Sequence, residues 1–234
     1  MRSHPHFWAY TSLAAICFFW GTTYLGIRMA LEGFAPFTLV AVRFLLSGSL
    51  LLAAALLMGA HIPRGAELWR TSRNGVIILG LGNACLTVAE LWIPSGLAAL
   101  FLTTSPFWLV GLEASIPGGE RLHAPTVAGM LVGSAGAALL VGPDAWRHGF
   151  QGQVLRGFLL LQFGCLCWSG GSILQRRQPG RAHPVISGGV QQLAAGLAFA
   201  VVALTAREPA LRWNGKATAA MLYLVLFGSV VGYS

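Results

Sequence analysis

The stretch FFWGTTYLGI, Phe18–Ile27, decides the fold, because the chain carries a second version of it, CLCWSGGSIL, Cys165–Leu174. A shift of 148 positions lays Trp20 on Trp168, Arg28 on Arg176, Pro36 on Pro184, Gly48 on Gly196 and Gly80 on Gly228, without a gap. Five matches of uncommon or chain-breaking residues in one register point to an internal repeat, and a repeat decides architecture before any local reading does. Both copies are strongly apolar, so the repeated unit is a membrane unit.

Composition sets the same bound. Of 234 residues, 56% are hydrophobic and 9% are charged, whereas soluble domains carry roughly 25% charged residues. The chain cannot cover a water-facing surface with charge, so it is an integral membrane protein with the lipid bilayer as its surroundings. The formal charge of +8 does not imply nucleic acid, since the basic residues form no run longer than a short cluster such as Arg176-Arg177. Excess cation of this kind marks loops against anionic headgroups. Cys17, Cys85, Cys165 and Cys167 lie in apolar stretches and read as packing residues, with no disulfide framework implied. The apolar run from Phe7 is too long for a signal core and holds Phe18, Phe19 and Trp20 in its middle, so it is the first transmembrane helix rather than a cleaved leader.

Eight segments approach the roughly 20 apolar residues that span a bilayer core. They run near 7–30, 37–58, 76–93, 96–116, 126–141, 155–174, 185–204 and 217–234. Short connections carry Pro36, Pro63, Pro94, Pro117-Gly118-Gly119, Pro143, Pro179-Gly180 and Pro209 as breakers. Five spans precede a junction near residues 143–155, giving a first five-helix repeat over 1–150 and a second over 151–234 that holds three helices. An odd number of spans per copy makes the second copy enter from the opposite side, an inverted-topology pair. The remainder of the first copy expects counterparts at positions 235–290. The chain is therefore read either as a fragment of a ten-helix bundle or as a natively shorter form of one. Lys and Arg number eight on one side and six on the other, which favours a cytoplasmic N-terminus.

The segment Ser95–Pro143 carries Pro106 in a small-residue helix, a Gly119-Glu120-Arg121 turn, a helix with Gly129, Gly133 and Gly136, and a closing Val141-Gly142-Pro143. Together with Trp20-Gly21 in the first span and Pro36 then Arg43 in the second, this pattern resembles the EamA-type transporters of the drug/metabolite transporter superfamily. The resemblance runs through the whole chain. It implies a ten-helix transporter of the bacterial inner membrane, often an exporter, that works by alternating access on a small-molecule substrate.

The functional residues of a carrier should be the few polar groups inside its spans. Asn83, Thr87 and Glu90 form one stripe on the third span. Helix–helix bonding and cavity lining are both open for it. A carboxyl inside a span can also carry a proton, so Glu90 is the proton-coupling candidate. Arg43 in the second span cannot shed its charge. It is expected either to pair with Glu90 or Glu113 or to form a substrate-anion site. Its repeat mate is Gln191, so the symmetry is broken at a polar position. Pro106 in the fourth span gives a static kink or a gating hinge. Glu113 lies near a span end and reads as snorkelling there. Gln162, Cys165, Ser169 and Ser172 share a face of the sixth span, as do Ser187 and Gln191 of the seventh. Trp20 and Trp168 lie mid-span, where they wall either the repeat interface or the substrate path. Gly129, Gly133 and Gly136 read as a helix-packing stripe. The substrate-cavity candidates are therefore Trp20, Arg43, Asn83, Glu90, Trp168 and Gln191.

The six His fall at or beyond span ends, so no metal site is expected. No phosphate loop, nucleophile elbow or zinc-protease motif occurs, and neither cofactor nor catalysis is expected. The sequence gives a homodimer no support. A secondary transporter of small metabolites, amino acids or drug-like compounds fits best. The alternative is a non-transporting membrane protein or an inactive piece of such a carrier.

Overall fold

The computed structural model describes residues 7–57, 59, 62–120, 122–148, 152–178, 180 and 182–232. The readings on Arg2, His4, His6, Met58, His61, Arg121, Pro179, Arg181 and Ser234 fall outside these, as do the side chains of Val141-Gly142-Pro143, Arg147 and His148.

All regular structure among the described residues is helical. The order is α1 (Phe7–Ala30), α2 (Pro36–Leu57), α3 (Gly65–Gly75), a π-helix π1 (Val76–Leu81) and α4 (Gly82–Ala89). There follow α5 (Ser95–Leu102), α6 (Ser105–Ser115), α7 (Ala124–His148), α8 (Gln153–Arg176), α9 (Pro184–Thr205), α10 (Gly215–Val225) and a second π-helix π2 (Leu226–Val231). Helices satisfy their own backbone polar groups, as hydrocarbon demands of anything that spans it. Among the described residues five stretches are long and apolar enough to cross a membrane: Leu13–Ala30, Pro36–Leu57, Ser95–Ser115, Gln153–Arg176 and Pro184–Thr205. Gly215–Val231 is a shorter apolar helix.

Three expectations are corrected. The third span does not begin at Val76, because the polar run before it is itself helical as α3 and continues without interruption through π1 into α4. The fourth span is not one kinked helix. It stops at Leu102 and restarts at Ser105. Pro106 has no N–H to give the carbonyl of Leu102, and in the first turn of α6 that missing donor costs nothing. Finally, a Cβ built on Gly129, Gly133 or Gly136 of α7 meets nothing within 4 Å. The stripe on α7 therefore packs against no neighbour among the described residues.

The bundle is built on the crossing of α2 and α9, its most extensive helix pair. A Cβ on Gly48 would stand 2.7 Å from the main-chain nitrogen of Leu193, and one on Gly196 would stand 2.7 Å from that of Leu45. No side-chain rotation relieves a clash with backbone, so only glycine admits this approach. Leu45 and Leu193 are themselves 148 positions apart, so the two contacts exchange under the repeat shift. One end of α2 is fixed separately: the Glu208 carboxylate accepts from Phe37 N at 2.9 Å and from Thr38 N at 2.7 Å. A carboxylate bonded to the free N–H groups of a first turn caps the helix and offsets its dipole. Residues of α2 enter two apolar clusters, one around Ile27, Leu39, Leu161 and Leu224 and a second around Val40, Phe44, Leu79 and Phe199.

The crossing predicts an asymmetry among glycines. Gly196→Ala overpacks backbone against backbone and should destabilise the fold by about 1–3 kcal/mol. Gly111→Ala, where a Cβ meets open space, should stay within about 0.5 kcal/mol of the parent. Thermal unfolding in detergent compares the two, and equal shifts would contradict the close approach.

Candidate functional site

Arg43 lies in the middle of α2 and is 1% exposed. A permanent cation there must be met by acceptors. Its Nε donates to Ser229 Oγ at 2.7 Å, its Nη2 to the Gly228 carbonyl at 2.9 Å, and its Nη1 to Asn83 Oδ1 at 3.1 Å. The guanidinium also stands 5.1 Å from the centre of the Phe44 ring. These partners are neutral, which corrects the expected ion pair with Glu90 or Glu113. Glu113 instead meets Arg176 at 2.6 Å and Arg177 at 2.8 Å. Its carboxylate does not snorkel alone but ties the end of α6 to the end of α8.

Two of the Arg43 partners belong to π2, and the third leads to π1. Asn83 Nδ2 donates to the Leu79 carbonyl at 2.9 Å while its Oδ1 accepts from Arg43. Single π-helical turns are rare, tend to occur at functional sites, and disturb the regular backbone ladder. Here the side chain of Asn83 takes up a carbonyl of π1, and Arg43 takes up a carbonyl of π2. Gln192, fully buried on α9, approaches the same place, its Nε2 3.5 Å from the Ser229 carbonyl.

The break in the fourth span is closed by α8. Gln162 Oε1 accepts from Trp108 Nε1 at 2.8 Å and from the Thr104 hydroxyl at 2.9 Å, while its Nε2 donates to the Phe101 carbonyl at 3.3 Å. Next along the same face of α8, Cys165 Sγ accepts from the Ser105 hydroxyl at 3.2 Å, and the Ser169 hydroxyl donates to the Ser105 carbonyl at 3.4 Å. The polar face of the sixth span thus bonds to both sides of the interruption before Pro106.

Between these elements lies a cavity of about 280 Å³. Trp20 and Tyr24 of α1, Arg43 of α2, Asn83 of α4 and Trp168 of α8 wall it, with Ser105, Cys165 and Gly228 among the rest of the lining. Among the described lining residues, Arg43 alone is charged. The structure therefore brings together Trp20, Arg43, Asn83 and Trp168. Pro106 stands one residue behind the lining Ser105.

Glu90 and Gln191 are elsewhere. Glu90 caps the end of α4, is 0% exposed, and has no hydrogen-bond partner for either carboxyl oxygen among the described residues. Arg28 donates to its main-chain carbonyl. Gln191 faces a second, polar cavity with Glu67, Asn74 and Gln178. One position along α9 turns a side chain by about 100°, so Gln192 reaches π2 and Gln191 does not. Sequence reasoning missed Ser229, Gly228 and Tyr24. The glycines that flank or fill both π-helices, Gly80, Gly82, Gly228 and Gly232, were the available signal. Among the described residues no three His, Cys, Asp or Glu side chains gather as metal ligands would.

Residues 7–142 match the EamA-like transporter family. The chain is 30% identical over 236 residues to the uncharacterized inner membrane transporter YedA of Escherichia coli, covering 94% of this chain and 70% of that protein. It is 30% identical over 143 residues to the aromatic amino acid exporter YddG of Ancylobacter novellus, covering 61% of this chain and 49% of that protein. A solved crystal structure, 26% identical, superposes with a TM-score of 0.76 over 95% of this chain and 75% of that one. With a helical bundle of matching shape and a family match through more than half its length, this chain belongs to the EamA-like transporter family of the drug/metabolite transporter superfamily.

Proposed function

We propose that the protein is a secondary carrier that exports a small amphipathic metabolite across the bacterial inner membrane by alternating access, and that an amino acid is the class to test first. The cavity around Arg43 carries this reading. At about 280 Å³ it falls near the lower end of the roughly 300–1,000 Å³ of small-molecule sites, which suits a metabolite. Its guanidinium is positioned to exchange the neutral partners of Arg43 for a carboxylate, a charge-assisted and often bidentate pair. The indoles of Trp20 and Trp168 and the Tyr24 ring offer faces to the apolar part of the same solute. A relative named as an aromatic amino acid exporter supports the choice of class.

The transport cycle we assign rests on two inverted repeats, residues 1–150 and 151–234. Support comes from the exchanging contacts of Gly48 with Leu193 and of Gly196 with Leu45. It comes also from π1 and π2, which overlap once the 148-residue shift is applied. Halves related in this way rock about a fixed midplane site. Arg43 bonds to Ser229 of π2 directly and to the Leu79 carbonyl of π1 through Asn83, so it links a π-helix of each half beside the cavity. A solute carboxylate that competes for the guanidinium loosens that link, which couples occupancy to movement. The interruption at Thr103-Thr104 before Pro106 is the hinge we assign to the fourth span. The N-terminus is placed in the cytoplasm on the charge balance of the loops.

Glu90 is the proton-coupling candidate, on the ground that a fully buried carboxyl without a hydrogen-bond partner among the described residues is a proton carrier in waiting.

Efflux of a panel of radiolabelled amino acids from proteoliposomes tests the reading. Arg43→Gln, checked for folding by its thermal transition, should lower kcat/KM by more than about tenfold, which is about 1.4 kcal/mol of lost stabilisation. Parent-like transport by that variant would remove Arg43 from the site. Glu90→Gln should keep solute counterflow but lose its response to an imposed pH gradient. An unchanged response would rule out Glu90 as the coupling group.

A further inference from the structure

The second cavity, about 220 Å³, has a different chemistry from the first. Glu67, Arg70 and Asn74 on α3 face Gln178 beyond α8 and Gln191 on α9, and no aromatic side chain lines it among the described residues. Asn74 is 3% exposed. Its Nδ2 donates to Gln178 Oε1 at 3.1 Å, while its Oδ1 is buried without a hydrogen-bond partner among the described residues. A buried acceptor left open in this way carries a desolvation cost that a donor would relieve. Glu67 is held in place by Ala182, whose N–H donates to Glu67 Oε1 at 3.1 Å. The exposed Arg70 guanidinium supplies the opposite charge.

This cavity and the central one lie along the same two rods. The rod α3–π1–α4 lines one with Asn74 and the other with Asn83, and α8 lines one with Gln175 and the other with Trp168. Between those lining positions α8 packs closely on π1 through apolar side chains. A Cβ on Gly171 of α8 would stand 2.5 Å from Ile78 Cγ1 and 3.1 Å from Ile77 Cγ2. Below that layer, a Cβ on Gly75 would stand 2.3 Å from the Gln191 carbonyl oxygen. Both isoleucines belong to π1. That packed layer is thus carried by the segment of the rod whose backbone ladder is irregular, and to which Arg43 is linked through Asn83.

We propose that the polar cavity is a second binding site on the solute route, which takes the zwitterionic head of an α-amino acid before the packed layer at Ile77-Ile78 admits it to the central cavity. The ammonium group donates to the Glu67 carboxylate and to Asn74 Oδ1, and the carboxylate group pairs with Arg70. The side chain of the solute is not read here, because nothing aromatic faces it. Selection by ring or alkyl group falls to the Trp20 and Trp168 walls deeper in. This inference rests on the carrier reading above and goes further by assigning a site that reads both charges, where the central one offers only a cation.

Equilibrium binding of radiolabelled L-phenylalanine to the full-length protein in detergent distinguishes the cases. Glu67→Gln and Arg70→Gln, both at accessible positions, should each halve the label bound at saturation, and Arg43→Gln should remove the other half. Glycine should displace label from the site that survives in Arg43→Gln as well as phenylalanine does, and should displace it less from the site that survives in Glu67→Gln. A single class of sites in the parent, untouched by Glu67→Gln and Arg70→Gln, overturns the proposal, as does an absence of binding. Efflux from proteoliposomes, measured on the same preparations, reports separately on the carrier reading.

Discussion

The bonded guanidinium of Arg43 is the constraint on which the interior depends. A cation fully withdrawn from water in a membrane bundle costs several kcal/mol unless acceptors surround it, and hydrogen bonds to a charged group each return about 1.5–3 kcal/mol. The acceptors come from opposite ends of the sequence: Asn83 in the first half, Gly228 and Ser229 in the second. Because Asn83 also holds the Leu79 carbonyl, Arg43 fixes one irregular backbone segment through a side chain and another directly. An ordinary core would avoid such an arrangement. A carrier can use it, since the same guanidinium that locks two halves together is also the group an anionic solute would compete for.

That arrangement stands because α2 and α9 approach within glycine distance. The Gly48 and Gly196 contacts bring α2 deep enough for Arg43 to reach across to π2. The fourth span solves a related problem in another way. Where Pro106 prevents one continuous helix, Gln162 accepts from Trp108 and Thr104 and returns a donor to Phe101. Interruption and repair thus occur in adjacent elements, and the space left between them is the central cavity.

Much of this was legible in the sequence. Composition and apolar length sufficed for a helical membrane protein, and the 148-residue register drew attention to Trp20, Trp168, Gly48 and Gly196 before any geometry. Trp20, Arg43, Asn83 and Trp168 converge because each is a costly residue mid-span, and such residues turn inward. Other features were hidden for identifiable reasons. A π-helix shifts the phase of the residues within and after it, so a 100° periodicity carried along α10 cannot forecast that Ser229 of π2 turns toward Arg43. The pairing of Glu113 with Arg176 and Arg177 depends on where two helix ends meet, which spacing does not encode. The polar face of α3 read as a loop because Glu67, Arg70 and Asn74 lack apolar partners in sequence. Their partners lie beyond α8 and on α9.

The central claim, that solute occupies the cavity beside Arg43, can be tested with a residue the protein already has. Cys165 lines that cavity, whereas Cys17 is exposed on α1. The rate at which each cysteine forms a mixed disulfide with a small methanethiosulfonate, methanesulfinate leaving, should be followed by mass spectrometry with and without saturating L-phenylalanine. Solute in the cavity predicts that Cys165 is protected while the rate at Cys17 is unchanged. Equal rates at Cys165 with and without a transported solute would contradict it.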